Sequence, residues 1–358
     1  MTSLLVLAGA VAVLSWIASF GSRWLAGRVH AIAEPTGGRR IHKRPIPQLG
    51  GLGIGLAILV ACGVGLWQGW FAPSVTSWQM GGFLVGVFLL LVGGFLDDRY
   101  NFPPKHLVWF PLLAALVVSL TGTGIQAITN PFGAQPWSLV WSEWSFVLFD
   151  HGFSLAFPST LLTIAWMLAV TAATKFGDGL DGLVTGQTVI GASVIGALTV
   201  TAAFFQPPMT ILCVIIGAAY LGFLPVNINP AKQFLGESGS TIAGFSLAFL
   251  SIASGAKLAT ALMAIGLPLA DIAFVMVNRM RRGVSPFQGD KTHLHFRLLD
   301  AGLSQRASVA ILWFISAAFG VIALGVHTGG KVLLLGCLTV LALALPTLME
   351  WRRSKQRL

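Results

Sequence analysis

The sequence predicts an all-α fold, a polytopic transmembrane helical bundle of about eleven helices forming one domain over residues 1–358. Three observations predict it. Hydrophobic residues make up 55% of the chain and charged residues only 9%, against roughly a quarter charged in soluble domains. Apolar stretches of roughly twenty residues, each able to cross the hydrocarbon core as a helix, recur along the chain, without the alternating segments of a barrel. The basic residues also fall almost entirely on alternate loops, as the enrichment of Lys and Arg on the cytoplasmic side requires.

The first helix, 3–22, is followed by Arg23 and Arg28 without a small-residue cleavage site, so it is expected to stay as an anchor. The second, 50–68, and third, 80–96, carry Gly50, Gly51, Gly53, Gly55, Gly82, Gly93 and Gly94, which suit close helix approach in lipid. Gly50 to Gly55 lacks the Gly-Lys-Ser/Thr ending and preceding strand of a phosphate loop. The fourth helix, 106–122, leads into an outside segment, 123–155, with no Lys or Arg but with Trp137, Trp141, Trp144, Phe146 and Phe149. Such aromatics favour the membrane interface, and the segment reads as a short hairpin or helix lying on the bilayer, with Glu143 and Asp150 solvated.

The fifth to seventh helices are expected at 156–174, 187–205 and 209–228. Only a short Ser-Gly-Ala-Lys turn around Lys257 separates the eighth, 240–255, from the ninth, 257–277, and merging them would invert the topology downstream. The tenth and eleventh lie at 307–326 and 331–350. Cys62, Cys213 and Cys337 fall inside these helices without metal spacing and read as buried packing residues.

On this map the N-terminus is outside and the C-terminus cytoplasmic. Arg23, Arg28, Arg39, Arg40, Lys43, Arg44, Arg99, Lys105, Lys175, Lys232, Arg279, Arg281, Arg282, Lys291, Arg297, Arg306 and the C-terminal cluster share one side. Lys257 and Lys331 fall on the other. The net charge of +10 is thereby explained by orientation and by anionic headgroups, and nucleic acid is not expected as a partner. The predicted location is a plasma (inner) membrane, with the chemistry on the cytoplasmic face.

Nearly all carboxylates share the basic side, where they are costly near a helix end unless solvated, paired or metal-bound. Asp97 and Asp98 end the third helix as an adjacent pair that invites a cation; a polar end neutralised by Arg99 is the alternative. After the fifth helix, Lys-Phe-Gly-Asp-Gly-Leu-Asp-Gly places Asp178 and Asp181 three apart, able to share one face of a helical turn. Glycines 177, 179 and 182 allow a ligand close to the backbone. After the seventh helix, Glu237 stands between glycines, with Ser238 and Ser240 as N-caps or phosphate contacts before the eighth. Beyond the ninth come Asp290, Lys291, His293, His295 and Arg297; imidazoles there bind phosphate, move protons or ligate metal. The first loop adds His42 and Lys43 in Arg-Arg-Ile-His-Lys-Arg-Pro-Ile-Pro, stiffened by Pro45 and Pro47. Five loops thus bring carboxylates, cations and histidines to one face, as a phosphorylated substrate with magnesium would need.

These residues resemble the polyprenyl-phosphate N-acetylhexosamine-1-phosphate transferase family over most of the chain. The resemblance rests on His-Lys-Arg-Pro-Ile-Pro with Gly50 and Gly51, on Asp97-Asp98, on Asp-Gly-Leu-Asp-Gly at 178–182, and on Gly-Glu-Ser-Gly-Ser at 236–240. Pro268 and Asp271 in the ninth helix belong to it too. Ser-Pro-Phe at 285–287 with His293 and His295 is closer to the GlcNAc-1-phosphate branch than to the phospho-MurNAc-pentapeptide branch, which carries three consecutive histidines.

The resemblance implies that undecaprenyl phosphate attacks the sugar-side phosphorus of a UDP-sugar and releases UMP, with Mg²⁺ neutralising the diphosphate, to prime cell-envelope polysaccharide. It assigns Asp97 or Asp98 to the lipid phosphate or its deprotonation, Asp178 and Asp181 to the metal and nucleotide region, and His293 and His295 to the phosphates. His42, Lys43, Lys175, Asp290, Lys291 and Arg297 would bind substrate, and Glu237, Asp97 and Asp98 the metal. A homodimer is left open.

Three positions depart from the family pattern: Lys175 replaces an Asn, Glu237 the metal-binding Asp, and Phe296 a histidine. One reading is that Lys175 pairs with Glu237 or Asp178 and takes over part of the magnesium's charge. Another is a homologue that no longer catalyses transfer and binds lipid phosphate or a membrane partner. A transporter ranks third, because no interrupted helix pair marks a midplane site.

Overall fold

The computed structural model describes residues 2–35, 44–130, 135–148, 151–255, 258–284, 292–326, 329–331, 333–340 and 344. In chain order it contains α1 (Thr2–Val29), β1 (Ile32–Ala33), β2 (Ile46–Pro47), α2 (Gly50–Trp67), α3 (Ser77–Tyr100), α4 (Pro104–Leu107) and α5 (Trp109–Leu120). Then follow β3 (Ala127–Ile128), β4 (Trp137–Ser138), β5 (Val140–Leu148), β6 (His151–Pro158), α6 (Ser159–Gly177) and α7 (Leu183–Thr199). The remainder comprises α8 (Pro207–Asn227), α9 (Gly236–Ala253), α10 (Leu258–Arg281), α11 (Leu294–Asp300) and α12 (Gln305–Gly325). Helical residues 329–331 and 333–340 lie at the expected start of the last span.

Six of these helices, α1, α2, α3, α6, α8 and α12, are long and apolar enough to cross a membrane. The chain is a multi-pass helical membrane protein. The eighth and ninth predicted helices are separate, α9 and α10, broken at Gly255 (φ +55).

Several expectations need correcting. The first helix runs seven residues further, to Val29, and carries Arg23 and Arg28 with it, their guanidinium groups over the rings of Phe20 and Trp24. At about 1.5 Å per residue its 28 residues exceed the hydrocarbon thickness, so the two arginines extend beyond the apolar part of the helix. The fourth predicted helix is two pieces, α4 and α5, meeting at Val108. Of the two forms expected for the outside segment, the hairpin is the one present. Strands β5 and β6 pair antiparallel from Val140↔Pro158 to Leu148↔His151, with Trp141 and Trp144 exposed and Phe153 stacked on Phe146 and edge-on to Trp78. In β6, Phe153, Leu155 and Phe157 alternate with Gly152, Ser154 and Ala156, the period of two that suits a ladder. Phe149 and Asp150 lie outside the described residues. Of the cysteines, Cys62 and Cys213 are buried but Cys337 is exposed, because it faces out of the bundle.

Helix α9 runs through the middle of the bundle, packed against α2, α3, α5, α6, α7, α8 and α10. Every residue from Ser238 to Ser251 is buried. Its entry is made possible by Gly51 of α2 and Gly94 of α3, where any side chain would overlap the backbone at Gly239 and Ser238 respectively. Tyr220 of α8, fully buried, donates its hydroxyl to the Gly239 carbonyl at 2.7 Å. This packing fixes the first turn of α9 beside the last turn of α3.

Candidate active site

Three helix ends meet at one place, the C-termini of α3 and α6 and the N-terminus of α9. Asn101, in the left-handed conformation (φ 52), stops α3 by donating its amide to the Asp97 carbonyl at 2.7 Å, leaving Asp97 and Asp98 in the last turn. Helix α9 starts at Gly236, four residues earlier than the apolar pattern suggested, so Glu237 occupies its first turn. Ser238 and Ser240 are therefore not N-caps. Ser240 turns its hydroxyl back to the carbonyls of Gly236 and Glu237, at 3.0 and 3.2 Å. The capping role passes to another helix: Asp98 Oδ1 accepts the Glu237 amide at 3.1 Å, a carboxylate where the helix N-terminus favours negative charge.

Lys175, in the last turn of α6, extends to Glu237, with Nζ 2.6 Å from Oε1. Of the two partners the sequence offered, the structure places Glu237 on the ammonium. Asp97 also lies within reach of the Lys175 charge.

The donor set does not fit a resident divalent ion. Glu237, which the resemblance assigns to the metal, is taken by the ammonium, and among the described residues no three of His, Cys, Asp and Glu come together to hold one. Asp98 Oδ2 is buried without a partner among these residues, but a magnesium ion held there by one or two carboxylates, substrate phosphates and waters would sit against Glu237, whose carboxylate already carries the ammonium.

Asp178 and Asp181 do not share a helical turn. Asp178 caps α6, and Gly179 to Gly182 form the loop into α7, with Gly182 at φ +82. Asp181 is held by the loop after α8: its Oδ2 accepts Asn229 Nδ2 at 2.9 Å and the Ala231 amide at 3.1 Å. Asn229 in turn reaches Gln305 Oε1 at 2.7 Å, and Arg306 Nε donates to its carbonyl. Asn227 accepts from the Gly182 amide and the Thr185 hydroxyl, pinning the start of α7. Asp178 retains some accessible surface, yet burial pushes its carboxyl up to about 7, with Asp181 and Glu237 adding repulsion.

The histidines arrive at the start of α11, a short helix within the segment expected as a loop, His293 as its N-cap residue and His295 in its first turn. His293 Nδ1 meets Asp271 Oδ2 of α10 at 2.9 Å, and Asp271 Oδ1 accepts the Leu294 amide at 2.7 Å. The His295 ring stacks parallel on His293, 5.6 Å between centroids, and packs against Phe296. Its buried Nε2 has no partner among the described residues and lies against the α-carbon of Gly179, where a side chain would overlap it. Burial lowers His295 to about 4, Asp271 pulling the other way and His293 adding to the lowering. Near neutral pH its ring is uncharged and retains both a donor and an acceptor nitrogen.

The structure therefore brings together Asp97, Asp98, Lys175, Asp178, Asp181, Glu237, His293 and His295. Arg297 lies one turn along α11 from His293. His42, Lys43, Asp290 and Lys291 fall outside the described residues. Sequence reasoning assigned no role to Asp271, Asn227, Asn229 or Gln305. Asp271 sits mid-helix among apolar residues, and such a carboxylate is by itself a signal of a partner.

The family model for glycosyl transferase family 4 matches residues 80–255, a stretch holding both α3 aspartates, Lys175, Asp178, Asp181 and Glu237. A probable undecaprenyl-phosphate N-acetylglucosaminyl 1-phosphate transferase of Bacillus subtilis is 30% identical over 307 residues, covering 84% of this chain and 78% of the relative. A decaprenyl-phosphate N-acetylglucosaminephosphotransferase of Mycobacterium tuberculosis is 32% identical over 340 residues, 86% of this chain and 79% of the relative. The undecaprenyl-phosphate alpha-N-acetylglucosaminyl 1-phosphate transferase of Escherichia coli is 25% identical over 319 residues, 85% and 79% of the two chains. Because these similarities extend over most of both chains and the matched stretch is the one that builds the carboxylate cluster, the chain belongs to glycosyl transferase family 4.

Proposed function

We propose that this chain transfers N-acetylglucosamine 1-phosphate from a UDP-sugar to a polyprenyl phosphate at the cytoplasmic face of a plasma membrane, as one membrane domain. An oxygen of the lipid phosphate forms a bond to the sugar-side phosphorus. The bond from that phosphorus to the oxygen bridging to the uridine-side phosphate breaks, and UMP leaves with the electron pair. No proton need move at the attacking atom, because a phosphate monoester is largely ionised at neutral pH.

The carrying observation is that the C-termini of α3 and α6, the N-terminus of α9 and the start of α11 gather carboxylates, one ammonium and two imidazoles at one place. Such transfer relies mainly on positioning and charge stabilisation. In this reading Asp97 and Asp98 order the side that receives the lipid phosphate, Asp178 and Asp181 the nucleotide side, and His293 and His295 donate to phosphate oxygens. His42, Lys43, Lys291 and Arg297 add donors to the phosphates, and Asp290 adds an acceptor for the substrate's hydroxyl or amide groups.

The test incubates purified protein with undecaprenyl phosphate and UDP-N-acetylglucosamine and follows UMP release and lipid-linked product. Release that depends on both substrates and is lost in Asp97→Asn and Asp98→Asn supports the reading. Absence of release with any UDP-N-acetyl sugar, while the protein still binds undecaprenyl phosphate, turns the reading to a lipid-phosphate binding protein.

A further inference from the structure

We infer that the Lys175 ammonium is the resident cation of this site, and that phosphate transfer by this chain proceeds without a divalent ion. The word transfer rests on the function proposed above; the identity of the cation does not, and it is read separately.

The ammonium is held, not merely nearby. Nζ stands 2.6 Å from Glu237 Oε1, the Glu237 amide is tied to Asp98, and Asp98 neighbours Asp97 and Asp178. One cation is thus linked to carboxylates on three helices. The Lys175 side chain keeps 30% of its surface accessible while Glu237 keeps 14%, so the pair is anchored on its acidic partner and open at the lysine. Of the three N–H donors on an ammonium one is spent on Glu237, leaving two for anionic oxygens that approach its accessible side.

A divalent ion drawn to the same carboxylates would have to share or displace the ammonium at Glu237. Two cations a few ångströms apart repel strongly where water is scarce. Lysine is a compact charge that suits the phosphate oxygens. Its part is that of a countercharge, so the bonds made and broken are those already written and only the source of the countercharge changes.

Binding of Mn²⁺, followed by loss of its free-ion electron paramagnetic resonance signal, separates the possibilities. Wild-type protein and Lys175→Arg are expected to leave the signal intact at concentrations where Lys175→Asn/Glu237→Asp binds the ion at least about tenfold more tightly, the opposing charge having been removed. UMP release by the wild type is expected to survive chelation within about twofold, the noise of such assays being small beside one tenfold step per 1.4 kcal/mol. Tight Mn²⁺ binding by the wild type, or release abolished by chelator and restored by magnesium, would overturn the inference. Failure of release under every condition counts against the transferase reading, and the Mn²⁺ comparison still decides the cation. Size-exclusion profiles of the variants, with Lys175→Arg as the charge-preserving control, separate loss of folding from loss of cation.

Discussion

Asp271 holds His293 and the start of α11 with one carboxylate, taking Nδ1 at 2.9 Å on one oxygen and the Leu294 amide at 2.7 Å on the other. The ring orientation and the position of the helix are therefore one variable. In the proposed transfer Asp271 would act through His293, as a positioning residue.

Replacing Asp271 with Asn leaves the shape but removes the charge and turns one acceptor into a donor. UMP release is expected to fall on the order of 10²-fold, the scale of a misplaced acid–base or phosphate-binding group. In the double variant with His293→Asn the losses should not add, since both act on one unit. Additive losses would show that Asp271 works elsewhere.

The Gly179 backbone is crossed by the His295 ring, so Gly179→Ala forces two elements apart. The φ of Gly179 is not in the left-handed region, which leaves overlap as the cause. Overpacking of this kind costs about 1–3 kcal/mol, visible as a lowered Tm, together with reduced release. A variant as stable and active as the wild type would mean that His295 does not approach the loop this closely.

Asp178 gives the pH dependence a sign. Its carboxyl is raised from 3.8 to about 7, so between those values the folded state holds the proton more tightly than the unfolded chain. Stability is greatest below the unfolded value and falls as pH rises toward 7. Thermal melts from pH 5 to 8 should therefore show a Tm decline of a few °C, on the order expected for one buried titrating group, that Asp178→Asn removes. An equal slope in the variant would place the proton on another group.

Asn229 bridges Asp181 and Gln305 and accepts Arg306 at its carbonyl. Truncation to Ala leaves Asp181, among the described residues, with the Ala231 amide. A loss of about 1–3 kcal/mol is expected, with a raised KM for the UDP-sugar if the loop after α6 serves the nucleotide. Unchanged melting and KM would remove Asn229 from the site.

The sequence was most informative where the physics is local. A carboxylate at a helix end near lipid needs a reason, and Asp97, Asp98, Asp178 and Glu237 were each visible for that reason. The lysine among them was legible because it stands where the family pattern has an Asn. What local reading could not supply is pairing across the chain. Asp271 and His293 are 22 positions apart on different helices, and Asn229 meets Gln305 across 76. Helix ends were misjudged for a related reason: apolar periodicity stops where side chains turn polar, but α1, α6 and α9 carry their backbone hydrogen bonds on through Arg28, Lys175 and Glu237. Those polar extensions are where three helices converge on the cluster or leave the lipid. The β5–β6 hairpin was only one of two options, since aromatic content alone does not choose between strand and helix.

Helix α9, sealed by protein from Ser238 to Ser251, never meets a lipid tail. Its solvent is its neighbours, which explains why it carries Ser240, Thr241, Ser246 and Ser251 and falls short of the hydropathy that α2 or α8 shows. A segment of that kind has little drive to enter a bilayer alone; it is admitted by helices already in place, as a keystone is set after the arch. Damage to α3 or α6 would then act first on assembly of the protein in the membrane, and the reactive end of α9 would be lost with it.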